Sequence, residues 1–389
     1  VNNVAAQRAT CVGRLYDPDV GGPCLVAVRG QRVADITGHG PTMADLLDRD
    51  DAIDVARHGQ ASRDWSLAEL ATGPSPVRPH LLAPIDLQVI KAAGVTFVRS
   101  LLERVVEEAA GGDPQRVQGV RAELTEQIRS AIGDLVPGTA AADRLKQTLV
   151  AQGLWSPYLE VGIGPDPEIF TKAPVLSAVG HGAQIGVLER SAWNNPEPEV
   201  VLVANSRGAC VGATLGNDVN HRDLEGRSAL LLAQAKDANA SCAIGPFIRL
   251  FDDGFTLDDV KRLDITLHVE GDDGFELTEV SSMREISRTP EELLARTYGR
   301  HHQYPDGFAL FTGTMFAPFK DRDRAGEGFT HHVGDRVTIS CPELGTLENT
   351  VTTCERAPAW STGIRALMDN LAARNLVGCL AEAGKGVDR

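Results

Sequence analysis

Three carboxylates, Glu197, Glu199 and Asp218, stand close together in the sequence, within the segment 197–246. Side chains two apart on a strand share a face, so Glu197 and Glu199 in EPEVVLV project side by side. Carboxylates held together repel unless a cation or a proton lies between them. If the segment that carries Asp218 pairs back beside the first, the three make an all-oxygen site. Such a site suits a hard cation, Mg²⁺ or Mn²⁺, and leaves coordination positions open for a substrate. On an exposed strand the same Glu-x-Glu pair is only a solvated face. Here Val200, Leu202 and Ala204 on one face and Val201 and Val203 on the other make both sides apolar, as in a buried strand. The turn Asn205-Ser206-Arg207-Gly208 leads to a second apolar run, 209–215, which reads as the hairpin partner. Asp218 falls just past that partner's end.

The elements around this hairpin follow from periodicity and turn residues. Residues 1–75 read as a small β-rich N-terminal domain, in which LVAVRGQRVADIT alternates about a glycine turn as a hairpin does. PTMADLL starts a short helix with Pro41 in its first turn. TGPSPVRPHLLAP, with four prolines, serves as a linker. Residues 76–389 form the catalytic domain. In it, 95–153 is mostly helical, with one apolar stripe of Leu101, Leu102, Val105, Val106 and Ala109 and a second of Val117, Val120, Leu124, Ile128 and Ile132. Residues 155–357 are strand-dominated, with one helix near 222–235, and a last helix covers 366–383. The class is α+β.

The chain has 389 residues and a net charge of −15, which disfavours nonspecific nucleic-acid binding. No apolar run approaches the roughly 20 residues of a membrane span. The first residues lack signal-peptide architecture. Seven cysteines without paired spacing read as reduced thiols of a cytoplasmic protein.

At the level of motifs, Glu-x-Glu, then GATLGNDVNHRD, then a lysine and Gly-Pro resemble the fumarylacetoacetate hydrolase family. PEIFTKAP upstream, and FALFTGTMFAP and VGDRVTISCPELGTLENTV downstream, resemble further motifs of that family, so the likeness spans about 165–351. It implies a mixed β-roll around the metal. Glu197, Glu199 and Asp218 match the family's metal ligands. A bound Mg²⁺, or Mn²⁺, chelates a 2-oxo acid and makes its C3 protons acidic. Lys236 matches the family's lysine. Beside a cation and partly desolvated, its pKa is lowered and it can act as a base; otherwise it is a surface lysine beside Asp237. Arg222 matches a position that holds the substrate carboxylate or orders Asp218; its plain alternative is a pair with Asp223 or Glu225. Lys172 matches a lysine that helps bind the acid. Thr314 directs its hydroxyl or its N–H toward substrate. The resemblance also implies a homodimer or homotetramer.

The chain departs from that pattern at 94–103. Hydrolases and decarboxylases of the family carry Asn-Tyr-x-x-His-x-x-Glu there, whose His-Glu pair activates water. Glu103 stands at the matching place, but the histidine is Ser100. A serine hydroxyl is far too weakly acidic to serve as a water-activating base near neutrality. A metal, a lysine and a carboxylate remain, which suffices for elimination. AAGVTFVRSLLER and WNNPEPEVVLV resemble the family's sugar-acid dehydratases, which act on 2-keto-3-deoxypentonates. The expected reaction is therefore loss of the C4 hydroxyl of a 2-keto-3-deoxypentonate, D form favoured, through a metal-stabilised enolate to 2,5-dioxopentanoate. Lys236 or Glu103 moves the protons, and a raised pKa would let Glu103 protonate the leaving hydroxyl. Hydrolysis of an acylpyruvate or β-diketone, decarboxylation of oxaloacetate, isomerisation of a 2-oxo acid and a non-catalytic metal-binding role are the alternatives. His301-His302 and His331-His332 read poorly as chelating pairs, since adjacent strand residues face opposite ways. Residues 320–332 read as a solvated loop or a lid.

Overall fold

The computed structural model describes residues 9–120, 135–153, 155–316, 320–324 and 327–377. Its first strands are β1 (Cys11–Asp17), β2 (Gly22–Arg29), β3 (Arg32–Asp35), β4 (Asp64–Ser66), β5 (His80–Leu82) and β6 (Val89–Gly94). β7 (Glu168–Ala173), β8 (Gln184–Val187), β9 (Asn194–Asn195), β10 (Pro198–Ala204), β11 (Cys210–Asp218), β12 (Asn220–His221) and β13 (Cys242–Leu250) follow. β14 (Asp264–Glu270), β15 (Glu276–Ser282), β16 (Phe308–Phe311), β17 (Arg336–Cys341) and β18 (Gly345–Thr353) complete the set.

The larger sheet runs β4-β3-β2-β1-β13-β11-β10-β16-β6-β7, with β5 also on β1. A five-stranded sheet runs β15-β14-β17-β18-β8. Both are mixed, because β16 runs parallel to β6 and β18 parallel to β8. The β2–β3 hairpin forms as its alternation predicts, turning where Gly30 takes a positive φ. The strands of the expected N-terminal unit do not stand apart. β1 is hydrogen-bonded to β13, and β5, inside the proline-rich linker, pairs with β1, so β1–β4 share one sheet with β13, β11 and β10.

β10 shows why this sheet needs two covers. Val200, Leu202 and Ala204 enter the core shared with Ile265, Leu267 and Ile339 of the smaller sheet. Val201 and Val203 enter a second core, closed by Ile36, Met43, Leu46 and Val55 from the N-terminal helices. A strand apolar on both faces is stable only between two such layers.

Several expected helices differ in extent. The helix in PTMADLL begins at Met43, because Thr42 and Asp45 form a capping box there; Pro41 lies before the cap. The helix Val98–Ala110 ends at Gly111, which takes the left-handed conformation, and Ala140–Ala151 and Pro157–Ile163 follow. Leu124, Ile128 and Ile132 of the expected second stripe lie outside the described residues. The helix expected near 222–235 is broken into Arg222–Glu225, a 3₁₀ turn at Ala229–Leu231, and Leu232–Lys236. The C-terminal helix is Ile364–Ala373; residues 378–383 lie outside the described residues. No helix among the described residues is long and apolar enough to cross a membrane.

Candidate active site

The β10–β11 hairpin builds the carboxylate cluster. Its register sets Glu199 opposite Gly216 and Pro198 opposite Asn217. The Asp218 N–H then donates to the Glu197 carbonyl at 3.0 Å, which brings Asp218 across from Glu197. β11 runs three residues beyond the expected 209–215, so Asp218 is its last residue rather than a position past its end. One oxygen from each of Glu197, Glu199 and Asp218 lies within 4.8 Å of the others, and all three residues are buried. Burial and the neighbouring Asp218 and Glu197 charges push Glu199 far above the usual carboxylate range. Such a set is short of positive charge, and its all-oxygen donors fit Mg²⁺ or Mn²⁺. The surroundings point the same way. Seven carboxylates (Glu103, Glu107, Glu168, Glu197, Glu199, Asp218 and Glu225) face only four cations, Arg104, Lys172, Arg222 and Lys236.

The loop after β16 holds Glu199. The Gly313 N–H donates to Glu199 Oε2 at 2.6 Å. Gly313 has φ +90, and a side chain there would strike Thr96 Oγ1, so the amide reaches Glu199 only because the residue is glycine. Thr314 lines the pocket, but its hydroxyl donates to the Pro198 carbonyl at 3.0 Å and accepts from the Phe316 N–H. It shapes the loop more than it faces a substrate.

Lys236 donates to Glu197 Oε2 and, at 3.0 Å, to Asp218 Oδ2. Burial pulls its pKa down, but the Asp218, Glu197 and Glu225 carboxylates outweigh burial and hold the ammonium above its ordinary value. The lysine's nearest neighbours are thus carboxylates, which oppose the lowering expected beside a cation. Lys172 is fully buried behind the cluster, 2.8 Å from Asp218 Oδ1, and donates to the Val219 and Lys236 carbonyls. It does not line the pocket; it positions Asp218 instead of meeting the acid. Arg222 is spent elsewhere too. Its guanidinium stacks 4.0 Å from the Trp193 ring and donates through Nε and Nη2 to Glu107, with Glu103 at 4.0 Å. Neither Asp218, nor Asp223, nor Glu225 is its partner.

The helix Val98–Ala110 closes the pocket. Ser100 lines it and donates back to the Phe97 carbonyl at 3.0 Å. Glu103 does not line it; Glu103 borders a second, smaller cavity beside Arg222. Arg104, which the sequence reading passed over, donates to Glu197 Oε1 and pairs with Glu107 at 2.5 Å and Glu225 at 3.0 Å. Glu168 was passed over as well. It lines the pocket at the head of β7, opposite Gly94, where any Cβ would strike its carboxylate. Burial, reinforced by Glu225, pushes Glu168 up to about 7. Alternation along β7 was the available signal: Glu168 and Phe170 share the face toward the pocket, and the register shifts at Lys172. His331 is buried against Asp335, whereas His332 faces Asp323 and Asp273, so the two side chains diverge, although they lie ahead of β17 rather than on a strand.

Residues 159–352 match the family described as fumarylacetoacetate (FAA) hydrolase C-terminal. The chain is 30% identical over 337 residues to a probable 2-keto-3-deoxyxylonate dehydratase of Haloferax volcanii, covering 85% of this chain and 95% of the relative. It is 38% identical over 186 residues to the 2-dehydro-3-deoxy-D-arabinonate dehydratase of Saccharolobus solfataricus, covering 46% of this chain and 57% of that one. Among solved structures, a 2-keto-3-deoxy-D-arabinonate dehydratase complexed with magnesium and 2,5-dioxopentanoate has a TM-score of 0.59 at 22% identity, over 88% of this chain and 99% of that one. A 5-carboxymethyl-2-hydroxymuconate delta-isomerase from Mycobacterium smegmatis has a TM-score of 0.53 at 19% identity, over 88% and 98%. At these identities the structural likeness speaks for the fold alone.

Proposed function

We propose that this chain, which belongs to the fumarylacetoacetate hydrolase family, is a Mg²⁺-dependent hydro-lyase that converts a 2-keto-3-deoxypentonate to 2,5-dioxopentanoate and water. One observation carries the reading: the carboxylate cluster shares its pocket with Lys236, Glu168 and Ser100, and no described histidine lines it. Such a pocket is equipped to move a proton and poorly equipped to activate water. The names of the two sequence relatives, both dehydratases of 2-keto-3-deoxy sugar acids, support the same reaction.

Glu197, Glu199 and Asp218 would hold the cation, whose Lewis acidity polarises the 2-oxo group and acidifies the C3 protons. Arg104 and the Gly313 N–H fix the orientation of Glu197 and Glu199. Glu168, with a pKa near the working pH, is suited to take the C3 proton and to return it to the hydroxyl that leaves C4. Lys236 stays an ammonium and offsets the negative charge that gathers on the 2-oxo oxygen. The C3–H and C4–O bonds break and water departs, which leaves a C3–C4 double bond conjugated with the 2-oxo group. A C5 proton is then lost and C3 takes one up, and the C4–C5 enol so formed gains a proton at C4 and loses its hydroxyl proton to become the aldehyde. Proton handling thus passes to Glu168, with Lys236 as its electrostatic partner, in place of Glu103.

The test gives metal-stripped protein D- or L-2-keto-3-deoxypentonate, with and without Mg²⁺, and reads 2,5-dioxopentanoate with an NADP-dependent semialdehyde dehydrogenase. Mg²⁺-dependent product from the D enantiomer is expected. Silence with both, together with cleavage of an acylpyruvate or oxaloacetate, would overturn the reading. We place the enzyme in the cytoplasm as a homodimer or homotetramer, which sedimentation of the purified protein checks.

A further inference from the structure

The second cavity, with room for about one water-sized group, shares Ser100 and Arg104 as walls with the pocket of the carboxylate cluster. Asn195 lines it and is only 1% exposed. The Asn195 Nδ2 donates to the Pro196 carbonyl at 2.8 Å, which fixes the amide's orientation. Its Oδ1 is left buried with no hydrogen-bond partner among the described residues. A buried carbonyl oxygen is costly unless a donor meets it. The other walls set the kind of donor. Glu103 and Glu107 are matched there by Arg104 and Arg222, whose guanidinium groups bond Glu107 and, for Arg222, approach Glu103 at 4.0 Å, so the charged walls offset one another. Ser100 donates to the Phe97 carbonyl. The group left open is the Asn195 acceptor, which suits a neutral hydroxyl rather than a substrate carboxylate. Asn195 is also tied to the metal ligands. It pairs with Asn220 through β9 and β12, and Asn220 Nδ2 donates to Glu197 Oε1 at 3.2 Å.

We infer that this second cavity receives the terminal, C5 hydroxyl of the substrate, with Asn195 Oδ1 as its acceptor, an inference that rests on the dehydratase reading. The C4 hydroxyl leaves during the reaction, so the C5 hydroxyl is the one that a permanent subsite can hold from substrate until ketonisation. The 2-oxo acid end then lies over Glu197, Glu199 and Asp218, and the chain of the substrate passes Ser100 and Arg104.

Two acids that cannot eliminate, 5-hydroxy-2-oxopentanoate and 2-oxopentanoate, separate the subsite from the chemistry. Their affinities for the Mg²⁺-loaded wild-type protein, read by calorimetry, are expected to differ by about tenfold or more in favour of the hydroxylated acid, the worth of one good hydrogen bond to a buried acceptor. In Asn195→Leu the preference is expected to vanish while 2-oxopentanoate binds as before. Equal binding of the two acids by wild type, or an equal loss for both in the variant, would overturn the subsite. The wild-type comparison stands if the variant fails to fold. A preserved preference without turnover of either pentonate would remove the dehydratase reading and leave the hydroxyl subsite in place.

Discussion

The Arg322 side chain, 1% exposed, lies between Asp335 and Asp273; that of Arg104, 11% exposed, lies among Glu107, Glu197 and Glu225. The two surroundings differ in balance. Arg322 meets Asp335 through two parallel bonds of 2.6 and 2.7 Å and Asp273 through two more. The Asp335 carboxylate also accepts from the His332 N–H at 2.9 Å and lies 3.2 Å from His331 Nδ1. Burial alone would raise Asp335, but its His331 and Arg322 partners hold it down to about 2. Around Arg104 the carboxylates outnumber the cations: Glu107 and Asp218, each held by two cations, are pushed down, whereas Glu168, Glu197 and Glu199 are pushed up. Where cations match the carboxylates, the acids are driven toward ionisation; where they fall short, some of the acids are left unsatisfied.

Substitutions should separate the two clusters. Glu199→Gln keeps an acceptor for the Gly313 N–H and is expected to lower kcat/KM by on the order of 10³ or more by weakening the cation site. Its unfolding free energy without metal should stay within about 1 kcal/mol of wild type, because Glu199 already favours its neutral form. A large loss of metal-free stability would erase the contrast. Glu168→Gln is expected to lower kcat by about 10²–10⁴ while Mg²⁺ binding persists. Wild-type kcat/KM should fall on the acid side of about pH 7, where Glu168 becomes protonated, and the variant's residual activity should lack that limb. Asp335→Asn should do the reverse of Glu199→Gln. It leaves Arg322 buried with half its partners and is expected to cost about 3–4 kcal/mol of stability in denaturant unfolding, with Mg²⁺ affinity unchanged.

The same contrast explains what the sequence could disclose. The carboxylate cluster was legible because a two-residue period and one turn place Glu197, Glu199 and Asp218 within a single hairpin. Lys172 and Arg222 were legible as motif positions but not in their orientation. Lys172 lies on β7, at the end of the sheet path, and Arg222 turns toward a helix more than a hundred residues away in sequence. Neither relation is written in local periodicity. On the helix Val98–Ala110, Ser100, Arg104 and Glu107 fall along one line, whereas Glu103 lies about 60° round from Ser100. That turn keeps Glu103 out of the pocket of the carboxylate cluster, whereas Arg104 borders both cavities and reaches Glu197. The merging of the N-terminal strands with the catalytic sheet was equally hidden, since strand order depends on contacts such as Cys11 with Arg249.

The smallest expected effect concerns two histidines that belong to neither cluster. His221 donates from Nδ1 to the Ala235 carbonyl at 2.6 Å and accepts at Nε2 from the Leu188 N–H at 2.8 Å. His181 Nδ1 accepts from the Glu348 N–H at 3.2 Å. Burial lowers both to about 4, from an ordinary value near 6.5. A fold that prefers the neutral ring holds its full advantage above the unfolded pKa near 6.5. It loses that advantage as pH falls toward 4, because protonation occupies the ring nitrogen that must accept. Each ring is worth on the order of 2–3 kcal/mol across that window. The measurement is unfolding free energy between pH 7 and 4.5 for wild type, His181→Asn and His221→Gln, whose amide oxygens reproduce the Nδ1 and Nε2 acceptors without titrating. Each variant should flatten the decline by its own share. A decline that persists unchanged in both would move the acid sensitivity to the carboxylates of the site.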